Sequence, residues 1–216
     1  MPQPAREFAL RTDNTESTYT EWRHQVRNGL TELQSTLVPL FHETQLFRIY
    51  SSTLVPGLLQ TEGYAAAVLS AVADFPELPC DDSAEAARAR VERSRVIHEP
   101  GKRCVLLIEE AVLYCQIGDS DALPTQLAYL IKAADLPSVS LGIVPMATRE
   151  RAQLPQETFN VYDDTLVSVE LVSAEVSITQ PSEIAQYLKT FEQLRRMAVY
   201  GAEARALMLK ALEALQ

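Results

Sequence analysis

Glycine is scarce in this chain, seven residues in 216, and that scarcity argues against the backbone cradles with which nucleotide-binding loops hold phosphates. Histidine is scarcer still. His24, His42 and His98 lie far apart and make no ligand spacing such as HExxH, so no metal site is expected. Cys80, Cys104 and Cys115 are an odd trio without CxxC spacing. They support neither a disulfide framework nor a zinc site and read as buried or inert thiols. No window approaches twenty uninterrupted apolar residues, and the first segment lacks the apolar core of a signal peptide. A cytoplasmic chain without a membrane segment is the expectation.

Positive charge is also in deficit. Nineteen Lys and Arg against 29 Asp and Glu give a formal net charge of -10. A DNA backbone would be repelled, so no direct nucleic-acid binding is expected. A GxSxG elbow, a Gly-rich phosphate loop and clustered Asp and His are all missing, and no cofactor is implied.

What is present is an ordinary globular composition, 47% hydrophobic and 22% charged. Residues 1–19 are polar, aperiodic and proline-containing and read as a mobile arm; residues 20–216 read as one domain. Trp22, Val26, Leu30, Leu33 and Leu37 recur at helical spacing, predicting an N-terminal helix that Pro39 stops or kinks. A short helix is possible over Leu40 to Phe47, and Arg48 to Val55 reads as extended chain. Pro56-Gly57 marks a turn into a helix rich in alanine, with Thr61 as its N-cap, and Asp81-Asp82-Ser83 opens another helix reaching about Ile97.

Cys104 to Ile108 is an apolar run of strand length, the pattern of a strand buried on both faces. A helical stretch around Leu123 to Ile131 and a second apolar strand, Val139 to Val144, make it the start of a βαβ unit with parallel strands. Thr158 to Tyr162 and Leu166 to Val172 alternate around Asp163-Asp164-Thr165 and predict a hairpin. From Pro181 to Gln216 the pattern is one long helix, bent at Gly201, for packing on the sheet or on a second copy as a homodimer. The predicted class is therefore α+β, mixed α/β, with a central sheet of about five strands, flanking helices, an N-terminal helix and a long C-terminal helix.

Candidate chemistry gathers at few places. Gln60 and Thr61 offer polar groups beside a helix N-terminus, which suits either a cap or an anion site. Glu109 and Glu110 end the buried strand, where ligand crevices form, but adjacent strand residues face opposite sides, so only one can enter any pocket. One of them can pair with Arg90 or Arg93, as structure or as catalysis. Arg88, Arg90, Arg93 and Arg95 are interleaved with Glu85, Glu92 and Glu99 and read as a paired, solvated helix face.

Three segments carry a resemblance: Leu54-Val55-Pro56-Gly57-Leu58-Leu59-Gln60-Thr61-Glu62-Gly63-Tyr64-Ala65, Glu109 to Leu113 through Ile117-Gly118, and Gln126-Leu127-Ala128-Tyr129-Leu130. Over roughly Trp22 to Ala198 the chain resembles an actinobacterial domain of unknown function that follows an XRE-type helix-turn-helix in antitoxin-like transcriptional regulators. Two departures stand out. Only about twenty polar residues precede Trp22, too few for the two packed helices of a helix-turn-helix, and Arg93-Ser94 stands where the family pattern has Arg-Gln. The resemblance implies a regulatory or ligand-sensing domain whose partner is a small protein or a helix-turn-helix regulator, with a possible small-molecule ligand. The alternative is a stand-alone enzyme of specialised metabolism on the same fold. Under either reading the candidate ligand-binding residues are Tyr50, Gln60, Thr61, Arg93, Glu109 and Tyr114.

Overall fold

The computed structural model describes residues 18–73 and 81–215. In chain order the elements are β1 (Thr18–Glu21), α1 (Trp22–Gln25), α2 (Leu30–Thr36), α3 (Val38–Glu43), β2 (Leu46–Ser51), a 3-10 turn at Gly57–Leu59, α4 (Glu62–Ala73) and α5 (Ser83–Ser94), which a 3-10 turn extends over Arg95–His98. There follow β3 (Arg103–Glu109), a 3-10 turn at Glu110–Tyr114, α6 (Ala122–Ala133), β4 (Val139–Val144), β5 (Phe159–Tyr162), β6 (Leu166–Glu170), β7 (Ala174–Ile178), α7 (Pro181–Met197) and α8 (Gly201–Glu213). The mixed α and β class stands. The sheet has seven strands, in the order β1-β7-β6-β5-β2-β3-β4.

The sheet has two halves. β2, β3 and β4 are parallel neighbours, with β3 and β4 joined through α6 as the βαβ pattern predicts. β5, β6, β7 and β1 continue the sheet antiparallel from β2, and the hairpin at Asp163 turns as expected, with Asp163 at φ 50°. The two strands missing from the sequence reading are β1 and β7. Both are short and only partly buried, so their apolar alternation is weak.

The single N-terminal helix gives way to α1 and α2. Gly29 between them sits at φ +98° and ends any continuous helix there. Asp82 then does something its position in sequence does not suggest. Its carboxylate accepts from the amides of Leu30 and Thr31 at 3.0 and 2.8 Å, capping α2 rather than its own helix α5. A Cβ on Gly29 would lie 2.7 Å from that carboxylate, so space as well as φ requires glycine. α3 begins one residue before Pro39, which occupies the first turn, where proline is tolerated. Its last carbonyls are satisfied by Lys102, 6% exposed, whose Nζ donates to the carbonyls of Phe41, His42 and Thr44 at 3.3, 2.5 and 2.6 Å.

The long C-terminal helix is also corrected. α7 ends at Met197, and the chain then runs along the open edge of β4, where Val199 exchanges both backbone bonds with Ile143 at 2.8 and 3.0 Å. α8 continues on the other face of the sheet. Phe191 and Leu194 of α7 pack with Tyr50, Leu107 and Phe159, whereas Met208 and Ala211 of α8 pack with Leu106, Ile108 and Ile143. The crossing needs Gly142, because a Cβ there would meet the Tyr200 ring at 2.7 Å and Leu107 at 2.8 Å. It also blunts the edge of the sheet against further pairing.

Candidate functional site

The Pro56 to Tyr64 segment is a structural corner. Leu58, Leu59 and Tyr64 are fully buried, and burial pushes the Tyr64 hydroxyl up to about 12. Its backbone and side-chain polar groups are largely taken up inside the protein. The Gln60 amide donates to the Val55 carbonyl at 2.8 Å, and Ser94 donates to the Gly57 carbonyl at 3.2 Å. The Thr61 amide and hydroxyl reach the Gln126 carbonyl oxygen at 2.7 and 3.2 Å, while the Gln126 amide donates to the Leu59 carbonyl at 2.7 Å. Gln126 is wholly buried. Two of the three segments that carry the resemblance are therefore locked to each other by one glutamine, which fills the start of α4. Thr61 faces that glutamine, and Tyr114 lies half-buried at the margin of the core.

Gln60 and Arg93, in contrast, meet in a second setting. The Gln60 carbonyl oxygen accepts from Arg90 at 2.8 Å. Arg90 also reaches the Gln34 side chain at 3.2 Å, and Arg93 reaches the side chain and carbonyl of Gln34 at 3.0 and 3.1 Å. Arg93 is 8% exposed and its guanidinium lies 4.3 Å above the Phe41 ring centroid. The expected pairing of the arginine cluster holds only for its outer members. Arg88 pairs with Glu85 and Arg95 with Glu92, whereas Arg90 and Arg93 have no carboxylate within 4.0 Å among the described residues. The Nε of Arg93 has no hydrogen-bond partner. Burial, followed by the neighbouring Arg90 charge, lowers the Arg93 guanidinium to about 10, and burial also lowers Arg90.

Across from these guanidiniums lies a polar sheet face. Strand pairing sets Asn160 beside Ser168 and Ser168 beside Ser177, and it sets Glu170 directly opposite Glu175. Like charges facing across strands repel. Glu175 is steadied by the Ser168 hydroxyl at 2.5 Å and the Gln25 amide at 3.1 Å. The Glu170 carboxyl is raised by the surrounding protein and by Glu175, against the attraction of Arg90 and Arg93. Tyr162, buried on the same face, is raised chiefly by burial, with Arg93 acting in the opposite direction. One buried and one half-buried cation, neither with a salt-bridge partner among the described residues, thus border a strip of hydroxyls and carboxylates.

Tyr50 and Glu109 belong to the other face. The Tyr50 hydroxyl donates to Glu109 at 2.8 Å, and burial with that bond raises it. The partner of Glu109 is Arg151, through two hydrogen bonds of 2.5 and 3.1 Å, rather than Arg90 or Arg93. Glu110 accepts from the Met146 amide at 2.8 Å. The two glutamates do diverge, as strand geometry requires, and together they pin the segment after β4. Of the six candidates, Tyr50 and Glu109 bond each other, Gln60 and Arg93 are linked through Arg90 and Gln34, Thr61 bonds Gln126, and Tyr114 lies at the margin of the core. Missing from the sequence reading were Arg90 as a site member, Gln34, Glu170, Glu175 and Arg151. A signal for Arg90 and Arg93 was available: neither has an acid three or four residues away, whereas Arg88 and Arg95 each have two.

The fold defines a mixed α and β class found among solved structures of distant sequence. NucT from Helicobacter pylori superposes with a TM-score of 0.50 at 7% identity, covering 87% of this chain and 100% of that one. At such identity the likeness is one of fold alone. Nuc from Salmonella typhimurium, a phospholipase D family member, has a TM-score of 0.47 at 8% identity over 87% and 99% of the two chains. No curated protein sequence matches the chain. Its sequence does match the family profile of DUF5753 over residues 34–210, and the chain belongs to that family, a domain of unknown function.

Proposed function

We propose that this chain is a regulatory sensing domain that recognises an anionic group, a carboxylate or phosphate of a small ligand, between Arg90 and Arg93. One observation carries the reading: two neighbouring guanidiniums, one of them 8% exposed, with no carboxylate within 4.0 Å among the described residues. Burying like charges side by side is unfavourable unless a counter-charge completes the site. A ligand anion supplies that charge, and the side-chain oxygens of Gln34 and Gln60 hold the two guanidiniums in place for it. The XRE-type, antitoxin-like setting implied by the sequence resemblance makes the domain a cytoplasmic regulator acting with a small partner protein or a helix-turn-helix regulator. The exposed Tyr19, Leu171 and Val172 support a protein contact at the tip of the β6-β7 hairpin. The net charge of -10 supports leaving DNA to the partner.

An enzyme is the weaker reading. The three histidines are exposed and apart, and burial pushes the Cys104 thiol up to about 12, far from a usable nucleophile. The reading is tested by thermal melts and titration calorimetry with inorganic phosphate and succinate. A ligand at one hundred times its Kd raises native stability by about 2.7 kcal/mol. That rise is expected for the parent chain and is expected to vanish in both Arg93→Gln and Arg90→Gln. No rise with any anion, or an equal rise in Arg93→Gln, removes the reading. Co-purification of a small protein from the native host tests the regulatory half, and a chain recovered alone under mild conditions counts against it.

A further inference from the structure

On the face opposite the arginines, a cavity of about 210 Å³ opens between α7 and the segment leading into β5. Its floor is aromatic and apolar. Tyr50, Phe159 and Leu194 are buried beneath it, and Tyr187 of α7 forms a wall. The rings are in contact with one another: the Tyr50 and Phe159 centroids are 5.6 Å apart, and those of Phe159 and Tyr187 are 5.0 Å apart. The rim is made partly of Gln156 and Glu157.

Charge distinguishes this cavity. Glu157 is the one ionisable acid or base other than tyrosine among its lining residues, and no cation lies within 4.0 Å of it among the described residues. Its carboxylate accepts from the Tyr187 hydroxyl at 3.0 Å, and this bond, after burial, raises the Tyr187 phenol to about 12. Arg151, whose charge acts on Tyr50 of the floor, is bound to Glu109. Aromatic rings beneath a single carboxylate are the complement of an alkylammonium group, whose charge is drawn both to the ring faces and to the acid. A volume of about 210 Å³ suits a small head group. The acidic surface of the whole chain raises the local concentration of such cations.

We propose that this cavity is a second binding site, for the alkylammonium group of a small amine or of a lysine side chain, with Glu157 as counter-ion and Tyr187 as the aromatic wall. It is independent of the anion site, which lies on the other face of the sheet. The full chain is titrated by calorimetry with butylammonium and tetramethylammonium, with an N-acetylated, amidated Gly-Lys-Gly tripeptide, and with acetate as control. Saturable binding of the cations and none of acetate is expected. Glu157→Gln, a rim substitution on an exposed residue, is expected to weaken binding at least tenfold while leaving the phosphate response of the arginine site unchanged. Tyr187→Phe is expected to retain binding and Tyr187→Leu to lose it. A tripeptide that binds tenfold tighter than butylammonium assigns the site to a partner's lysine, and equal binding assigns it to a free amine. No saturable cation binding, or binding unchanged in Glu157→Gln, overturns the proposal.

Discussion

Two rows of side chains cross the whole sheet one residue apart. The row Gly142, Leu107, Tyr50, Phe159, Val169, Val176 and Tyr19 is apolar or aromatic through both halves of the sheet. The row Leu141, Leu106, Ile49, Asn160, Ser168, Ser177 and Thr18 is apolar across the parallel strands and polar across the antiparallel ones. A step of one residue along a strand reverses the face. The parallel half therefore has helices on both of its faces, as such sheets require. The antiparallel half buries one face under α7 and turns the other, polar one toward Arg90 and Arg93. The difference separates scaffold from candidate site: the parallel half packs apolar side chains on both faces, and the antiparallel half turns a row of polar side chains toward Arg90 and Arg93.

The comparison is broken most directly within one row. Ile49→Ala, at a 5% exposed position of the parallel half, is expected to cost about 3 kcal/mol in urea unfolding. Ser177→Val, three strands away in the same row, is expected to stay within about 0.5 kcal/mol. Equal losses at the two positions mean that the polar face is packed and the division fails. Lys102→Met is expected to cost about 2 kcal/mol, because three carbonyls at the end of α3 lose their donor. Folded protein that remains should still respond to phosphate, since Lys102 takes no part in the arginine site.

A smaller effect is expected at Asp82, which holds α2 against α5 beside that site. Asp82→Ala is expected to cost about 1 kcal/mol at neutral pH. Burial acts to raise the Asp82 carboxyl, and the amides of Thr31 and Leu30 more than offset it, so its folded value lies below the ordinary one. Its stabilisation is thus present above the unfolded carboxylate range near 3.9 and is lost as the pH falls through the depressed folded value. Melts across acid pH should show the parent and Asp82→Ala converging. Parallel curves would remove Asp82 as the cap.

Much of the scaffold was legible because it follows from local pattern. The runs at Cys104 to Ile108 and Val139 to Val144, with the helical spacing between them, specify two buried strands and a crossover helix without reference to anything distant. The turn at Asp163 and the corner at Pro56 are equally local. The site was legible only in part. Gln60 and Arg93 were picked out as polar residues near helix ends; they are linked through Arg90 and Gln34, and Gln34, Glu170 and Glu175 come near only because strands and helices far apart in sequence are brought side by side. Pattern also misread two long helices. The periodicity continues through Gly29 and Gly201, while in the fold the chain changes direction at the first and changes sheet face just before the second.

By itself the sequence determined the mixed α and β class, the buried strands, the acidic charge and the absence of any local cofactor motif, since each depends on composition or on spacing within a few turns of chain. Only the tertiary structure decided what Arg90 and Arg93 bond in place of an acid, that Glu109 bonds Arg151, and that the C-terminal helices lie on opposite faces. Those outcomes depend on strand register and on contacts between segments forty or more residues apart, such as Glu109 with Arg151 and Arg93 with Gln34. No pattern within one segment carries that information, because a charge or a cap is satisfied by whatever the fold places beside it.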